Sequence, residues 1–199
     1  MHFECEIDSG ATSSAELGKI RAEALLWFLS TIVERDSPAP MSRNPKTVGL
    51  ISDTHGLLRP QALRALDRSD LIIHAGDVGD PEILDELKTL APVFAVRGNI
   101  DSEPWVLALP ETEIVDTGTA SIYVLHDVHA LDLDPAAAGF QIVVSGHSHK
   151  HARTEHGGVL FLNPGSAGPR RFNLPVTVAR LYLDQIPWKV EFVDLFGIQ

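Results

Sequence analysis

Five short apolar runs, Val48 to Ile51, Leu71 to Ile73, Val93 to Val96, Ile122 to Leu125 and Ile142 to Val144, each lead into a polar cluster. In the same order the clusters are Asp53-Thr54-His55, Gly76-Asp77, Gly98-Asn99-Ile100-Asp101, His126 and Gly146-His147-Ser148-His149. The runs are rich in β-branched residues and too short for helices, so they predict buried strands. In open α/β sheets ligands bind in the crevice beyond the carboxyl ends of the strands. A chain of this pattern can therefore bring Asp53, His55, Asp77, Asn99, His126, His147 and His149 to one place.

Between the runs the spacing predicts helices. Pro60 to Arg68 carries Leu63 and Leu66 on one face, and Pro81 to Leu90 carries Ile83, Leu84, Leu87 and Leu90. Each opens with proline at a helix-start position, and the alternation of strand and helix predicts βαβ units. After Pro110 short strands follow one another at Glu113 to Asp116, Ala120 to Leu125, Gly158 to Leu162, Val176 to Leu183 and Trp188 to Asp194. These suggest a second sheet packed on the first.

The first forty residues differ in character. Ser13 to Glu16 matches a capping box, and Leu17, Ile20, Ala24, Phe28 and Val33 recur at helical spacing, predicting an amphipathic helix from Ser14 to Glu34. Asp36 to Pro40 then stops it. The residues before its apolar stretch are acidic, which does not suit a signal peptide. Met41 stands just after this break. Residues 1–45 are therefore expected to be a helical appendage with a Pro-rich linker, or an over-extended start before Met41, and residues 46–199 the catalytic domain.

Charge and composition narrow the class. The net charge of -11 disfavours nucleic acid and anionic membranes as partners. No apolar stretch approaches the ~18 residues of a membrane span. The single cysteine, Cys5, excludes a disulfide within the chain and fits a reducing cytoplasm.

Taken singly the polar clusters are weak signals. Asp-x-His puts a carboxylate and an imidazole at i and i+2, Gly76 lets the backbone turn beneath Asp77, Asn99 adds a neutral oxygen, and His147 and His149 add two imidazoles. Mixed oxygen and nitrogen donors suit manganese, iron, zinc, cobalt or nickel better than calcium or a thiolate-bound zinc. Together the ordered set resembles the calcineurin-like metallophosphoesterase superfamily, in particular its small single-domain YfcE-type phosphodiesterases. The resemblance covers about residues 46 to 195.

The resemblance implies an α/β fold, a four-layer αββα sandwich of two mixed sheets, with a binuclear centre. Asp53, His55, Asp77 and His149 would hold one metal and Asp77, Asn99, His126 and His147 the other, Asp77 bridging. Manganese is the expected cofactor, with nickel, iron, cobalt or zinc as alternatives. Two such cations activate water and neutralise phosphate charge, which favours hydrolysis of a small phosphodiester by a hydroxide held between them. Asp77, Asn99 and His126 are the expected catalytic residues, the last two orienting phosphoryl oxygens. The segment Asn163-Pro164-Gly165-Ser166 with Arg170 is similar to the turn that closes the site in these proteins. Arg170, Ser166 and Asp101 are the candidate substrate contacts.

Two positions depart from the family. Where larger members place a histidine that protonates the leaving group, this chain has Ile100. The YfcE-type members also lack it, and general acid help is worth ~10² to 10⁴ in rate, so activated aryl diesters are the expected substrates of choice. Asp127 stands where glycine is usual and is expected to narrow or acidify the mouth. The competing expectation is a metal-binding scaffold in protein assembly, as in the retromer subunit of similar fold. That relative departs from the paired histidines, whereas His147 and His149 are both present here. A homodimer is permitted but not specified.

Overall fold

The computed structural model describes residues 44–102, 104–171 and 173–197. The expected helix at 14–34, the Pro-rich linker and the start at Met41 lie outside the described residues, which all fall within the second of two units, Ala39–Gln199. No helix among the described residues is long and apolar enough to cross a membrane.

Among the described residues, ten strands and two α-helices run in the order β1 (Thr47–Ile51), α1 (Pro60–Leu66), β2 (Leu71–His74), α2 (Pro81–Lys88), β3 (Val93–Ala95), β4 (Thr112–Asp116), β5 (Ser121–Leu125), β6 (Ile142–Val144), β7 (Ala152–His156), β8 (Val159–Asn163), β9 (Thr177–Tyr182) and β10 (Lys189–Asp194). They form two five-stranded mixed sheets, ordered β10-β9-β1-β2-β3 and β4-β5-β6-β8-β7. In the first, β1 runs parallel to β2 with Ile51 opposite His74, and antiparallel to β9 with Leu50 opposite Ala179. In the second, β5, β6 and β8 are parallel, with Val124 opposite Val144 and Val144 opposite Leu162.

The central strands read as unbroken apolar runs because both of their faces are covered. Val48, Leu50, Leu71 and Ile73 from the first sheet and Ile122, Val124, Ile142 and Val144 from the second share the core cluster between the sheets. The other face of the first sheet, with Ile51, Ile72 and Val178, packs on Leu66 of α1 and Ile83, Leu84 and Leu87 of α2. Proline at N1 starts both helices, and Asp80 caps α2 by accepting the Glu82 N–H at 2.9 Å.

One expectation is corrected. The late strands do not all belong to the second sheet, because β9 and β10 return to the first, where Ala179 and Leu181 complete the inner face beside β1. As expected for Ala120 to Leu125, β5 lies in the second sheet, and β6 joins it there, so the five strands that carry polar clusters are divided between sheets. The layer outside the second sheet is irregular. Leu131, Leu133 and Phe140 cover Tyr123, Leu125 and Val143, and Asp134 caps a single helical turn that Gly139 ends at φ +84°.

Candidate metal centre

Each polar cluster follows a parallel strand: Asp53 and His55 follow β1, Asp77 follows β2, Asn99 β3, His126 β5, and His147 and His149 β6. Because β1 to β3 are in one sheet and β5 and β6 in the other, the cluster lies across the seam where both sheets end. Backbone hydrogen bonds tie the loops together: Asp53 N donates to Gly76 O (3.0 Å), His55 N to Asp77 O (2.9 Å) and Gly146 N to His126 O (2.9 Å). The glycines permit this closeness. A Cβ on Gly98 would collide with Asp77, and one on Gly146 with Ser52 and Asp53.

The backbone at the site is under strain. Asp53 (φ 54°), His55 (48°), Asp77 (55°), His147 (66°) and His149 (58°) all adopt the left-handed region, and Arg68 is the only other described non-glycine residue to do so. Such a conformation costs of order 1–3 kcal/mol per residue and persists only where the surroundings over-determine it. It also turns i and i+2 side chains toward one centre, which a regular strand would not need.

The side chains meet in two compact groups whose donor atoms lie within 4.8 Å of one another: Asp53, His55 and His149, and Asp53, Asp77 and His126. Asp53 Oδ1 lies 3.2 Å from His149 Nε2 and 4.0 Å from His55 Nε2. It nevertheless makes no hydrogen bond, although it is fully buried. Its sister Oδ2 accepts from Ser52 Oγ (2.7 Å) and His147 N (3.2 Å). Asp77 faces both groups, Oδ2 at 3.8 Å from His55 Nε2 and Oδ1 at 3.3 Å from His126 Nε2. Asn99 Oδ1 lies 3.2 Å from His126 Nε2 and 2.9 Å from His147 Nδ1. His147 is exposed and stands outside both compact groups, joined to them through Asn99.

Protonation suits cation binding. His126 Nδ1 donates to Ala75 O (2.7 Å) and Nε2 points at Asp77 and Asn99. Asp77 and Ala75 O thus hold its pKa above the ordinary value despite burial, and a cation would take the place of the Nε2 proton. Burial lowers the pKa of His55 and takes that of His149 down to about 4, helped in both cases by the Arg171 charge. Both rings are thus neutral donors near pH 7. Burial raises Asp53 to about 6. Burial opposes the Asp77 charge too, but hydrogen bonds from His126 and the Ile100 amide outweigh it and lower its pKa. A buried carboxylate oxygen without a hydrogen-bond partner, beside two neutral imidazoles, is a donor set that a cation would satisfy. The residues present therefore fit a divalent metal.

The surroundings sort the remaining candidates. The Asp101 carboxylate accepts from Val78 N (3.1 Å), Gly79 N (2.9 Å) and Gly98 N (2.8 Å), and its charge is felt at His55. These three bonds tie the loop after β3 to the loop after β2. Ser166 is buried and donates to Asp53 O at 2.9 Å, so it too acts on the loop. Arg170 Nε turns back to Leu174 O (3.3 Å), while its neighbour Arg171 places Nη2 3.4 Å from His55 Nε2. The sequence points to Arg170, but two adjacent arginines carry no local signal for which one faces His55.

His74, a buried histidine whose role the sequence leaves open, has its pKa pushed down to about 3 by burial, and its Nε2 lies 2.9 Å from Thr54 Oγ1. It holds Thr54 between Asp53 and His55. Asn163 donates from Nδ2 to Gly146 O (2.5 Å) and Ser148 Oγ (3.1 Å), fixing the loop of the paired histidines.

Beside Asn99, His126 and His147 opens a cavity of about 520 Å³ lined also by Arg97, Glu111, Tyr123, Asp127 and Asp132. Arg97 pairs with Glu111. Asp127 contributes acidity to this wall, and its Oδ2 lies 3.9 Å from His147 Nε2.

The calcineurin-like phosphoesterase superfamily domain matches residues 47–185. A protein of Methanocaldococcus jannaschii named "Probable metallophosphoesterase MJ0623" is 41% identical over 132 residues, 60% of this chain and 67% of that protein. A phosphodiesterase of the same organism is 28% identical over 137 residues, 59% of this chain and 82% of that one. Wild-type Vps29 of Entamoeba histolytica complexed with zinc aligns at a TM-score of 0.57 and 29% identity, over 75% of this chain and 99% of that one.

Proposed function

The chain belongs to the calcineurin-like phosphoesterase superfamily, and we propose that it is a two-metal phosphodiesterase acting on small phosphoesters. Asp53, His55, Asp77 and His149 would hold one cation, and Asp77, Asn99, His126 and His147 the other. Manganese is the proposed metal, and nickel, iron, cobalt and zinc suit the same donors. Two bound cations supply Lewis acidity, an activated water and neutralisation of phosphate charge.

The carrying observation is Asp53 Oδ1, buried without a hydrogen-bond partner between two neutral imidazoles. The chain's own residues do the rest. Asn99 and His126 orient phosphoryl oxygens, and the adjoining cavity has room for one organic group of a diester. At the third cluster Ile100 offers no proton, which favours substrates whose leaving group needs none.

The decisive experiment depletes the protein of metal, reconstitutes it with Mn2+ or Ni2+ and assays bis(p-nitrophenyl) phosphate beside Asp77→Ala and His147→Ala. Wild type should gain activity with metal, and both variants should fall by about 10²-fold or more. Equal residual activity in all three overturns the reading. A scaffold role in a protein assembly is the second reading, favoured by the likeness to Vps29 and the exposed apolar side chains of Leu107 and Ile114. It predicts metal binding without turnover in the same assay.

A further inference from the structure

Arg171 is brought to the site by a stitched segment. After the Asn163 to Ser166 turn, Ala167 N donates to Ser52 O (3.0 Å) and Gly168 N to Asp53 O (3.1 Å), so the chain here is laid against the first cluster. Arg59 Nη2 reaches Gly168 O at 3.3 Å from the other side. Leu174 N then donates to Arg171 O (3.2 Å) and Arg170 Nε to Leu174 O (3.3 Å). This small loop consumes Arg170 and leaves Arg171 facing His55.

The contact poses a chemical conflict. A guanidinium has only donors, so a hydrogen bond from Arg171 to His55 Nε2 uses the ring's lone pair, at an atom that His149 Nε2 also approaches to 3.2 Å. A metal on His55 needs that same lone pair. Metal and Arg171 therefore exclude one another at this atom, and a dication there repels the guanidinium unless an anion lies between them. Phosphate is such an anion, and the planar guanidinium fork matches two of its oxygens.

Resting on the phosphodiesterase reading, we propose that Arg171 is a substrate-binding residue that alternates between two partners: it occupies His55 Nε2 in the metal-free protein and, displaced by metal, binds a non-bridging phosphate oxygen. Arg171 is exposed, so replacing it leaves the core untouched.

The test titrates Mn2+ into metal-free wild type, Arg171→Ala, Arg171→Lys and Arg170→Ala by calorimetry, then inorganic phosphate into each Mn2+-loaded protein. Arg171→Ala should bind Mn2+ severalfold more tightly than wild type and phosphate about ten- to a hundredfold more weakly. Arg171→Lys should recover part of the phosphate affinity, and Arg170→Ala should match wild type in both titrations. With bis(p-nitrophenyl) phosphate, Arg171→Ala should raise KM more than it lowers kcat. Unchanged phosphate affinity in Arg171→Ala overturns the proposal, as does Mn2+ affinity equal to or weaker than wild type. Failure of wild type itself to bind Mn2+ instead overturns the two-metal reading on which the proposal rests.

Discussion

Ile100 shows how one residue divides its work between backbone and side chain. Its N–H donates to Asp77 Oδ1 at 3.1 Å and so helps hold a candidate ligand, while its side chain is 41% exposed at the edge of the cluster. Replacing the side chain should therefore leave the Asp77 contact in place. Ile100→His should raise kcat on diesters with alkyl leaving groups by about 10-fold or more, since such groups need a proton to depart. Bis(p-nitrophenyl) phosphate should gain little, because its leaving group is already stable as an anion. No gain on the alkyl diester in a folded, metal-loaded variant would count against the missing-acid reading. The substitution site is visible in the sequence, but its exposure and the amide bond to Asp77 depend on how the loops after β2 and β3 meet.

Asp101 makes the same point for an element. Its carboxylate draws together the N–H groups of Val78, Gly79 and Gly98, joining the loop after β2 to the loop after β3. Asp101→Ala should cost roughly 1–3 kcal/mol in urea unfolding by leaving backbone donors unpaired, and should weaken metal binding by loosening Gly98 and Asn99. Asp101→Asn keeps one acceptor oxygen, so it should retain most stability and the wild-type pH–rate profile. A profile that loses its acidic or basic limb in Asp101→Asn would restore the side chain to the chemistry. Strands were legible wherever apolar runs marked them. β7 was not, because Ala152–His156 is exposed along its whole length and carries no alternation. It forms by pairing with β8 across a turn at Gly157 and Gly158, both at positive φ, and only that Gly-Gly pair could have signalled it.

For the whole molecule, metal, pH and stability are linked. Burial raises Asp53 to about 6, and His126 is held above its ordinary value by Asp77 and Ala75 O despite its burial. Both raised values mean that the metal-free fold keeps these protons to higher pH than the unfolded chain. Their contribution to folding is present in acid and lost as pH rises through the raised values. A cation needs Asp53 ionised and His126 Nε2 bare, so its affinity runs the opposite way and increases with pH through about 6. The Tm gain on adding Mn2+ should be small at pH 5 and grow toward pH 7, with loss of that gain on adding EDTA. Calorimetry in buffers of different ionisation enthalpy should show proton release on binding near pH 6. A Tm gain that is flat from pH 5 to 7 would mean that neither group is a ligand.

The sequence alone determined which residue types stand at the strand ends and in what order, because a β-branched run and the polar residues after it are neighbours in the chain. It also carried the two-sheet α/β class and the proline starts of α1 and α2. Only the tertiary structure decided that the cluster-bearing strands divide between two sheets, that five candidate ligands turn left-handed, and that Asp53 Oδ1 is left without a partner. It likewise chose Arg171 over Arg170. These features arise from contacts between distant segments: His147 N meets Asp53 across 94 residues and Arg171 meets His55 across 116. No local pattern encodes where such segments come to rest; packing of the two sheets around their shared core does.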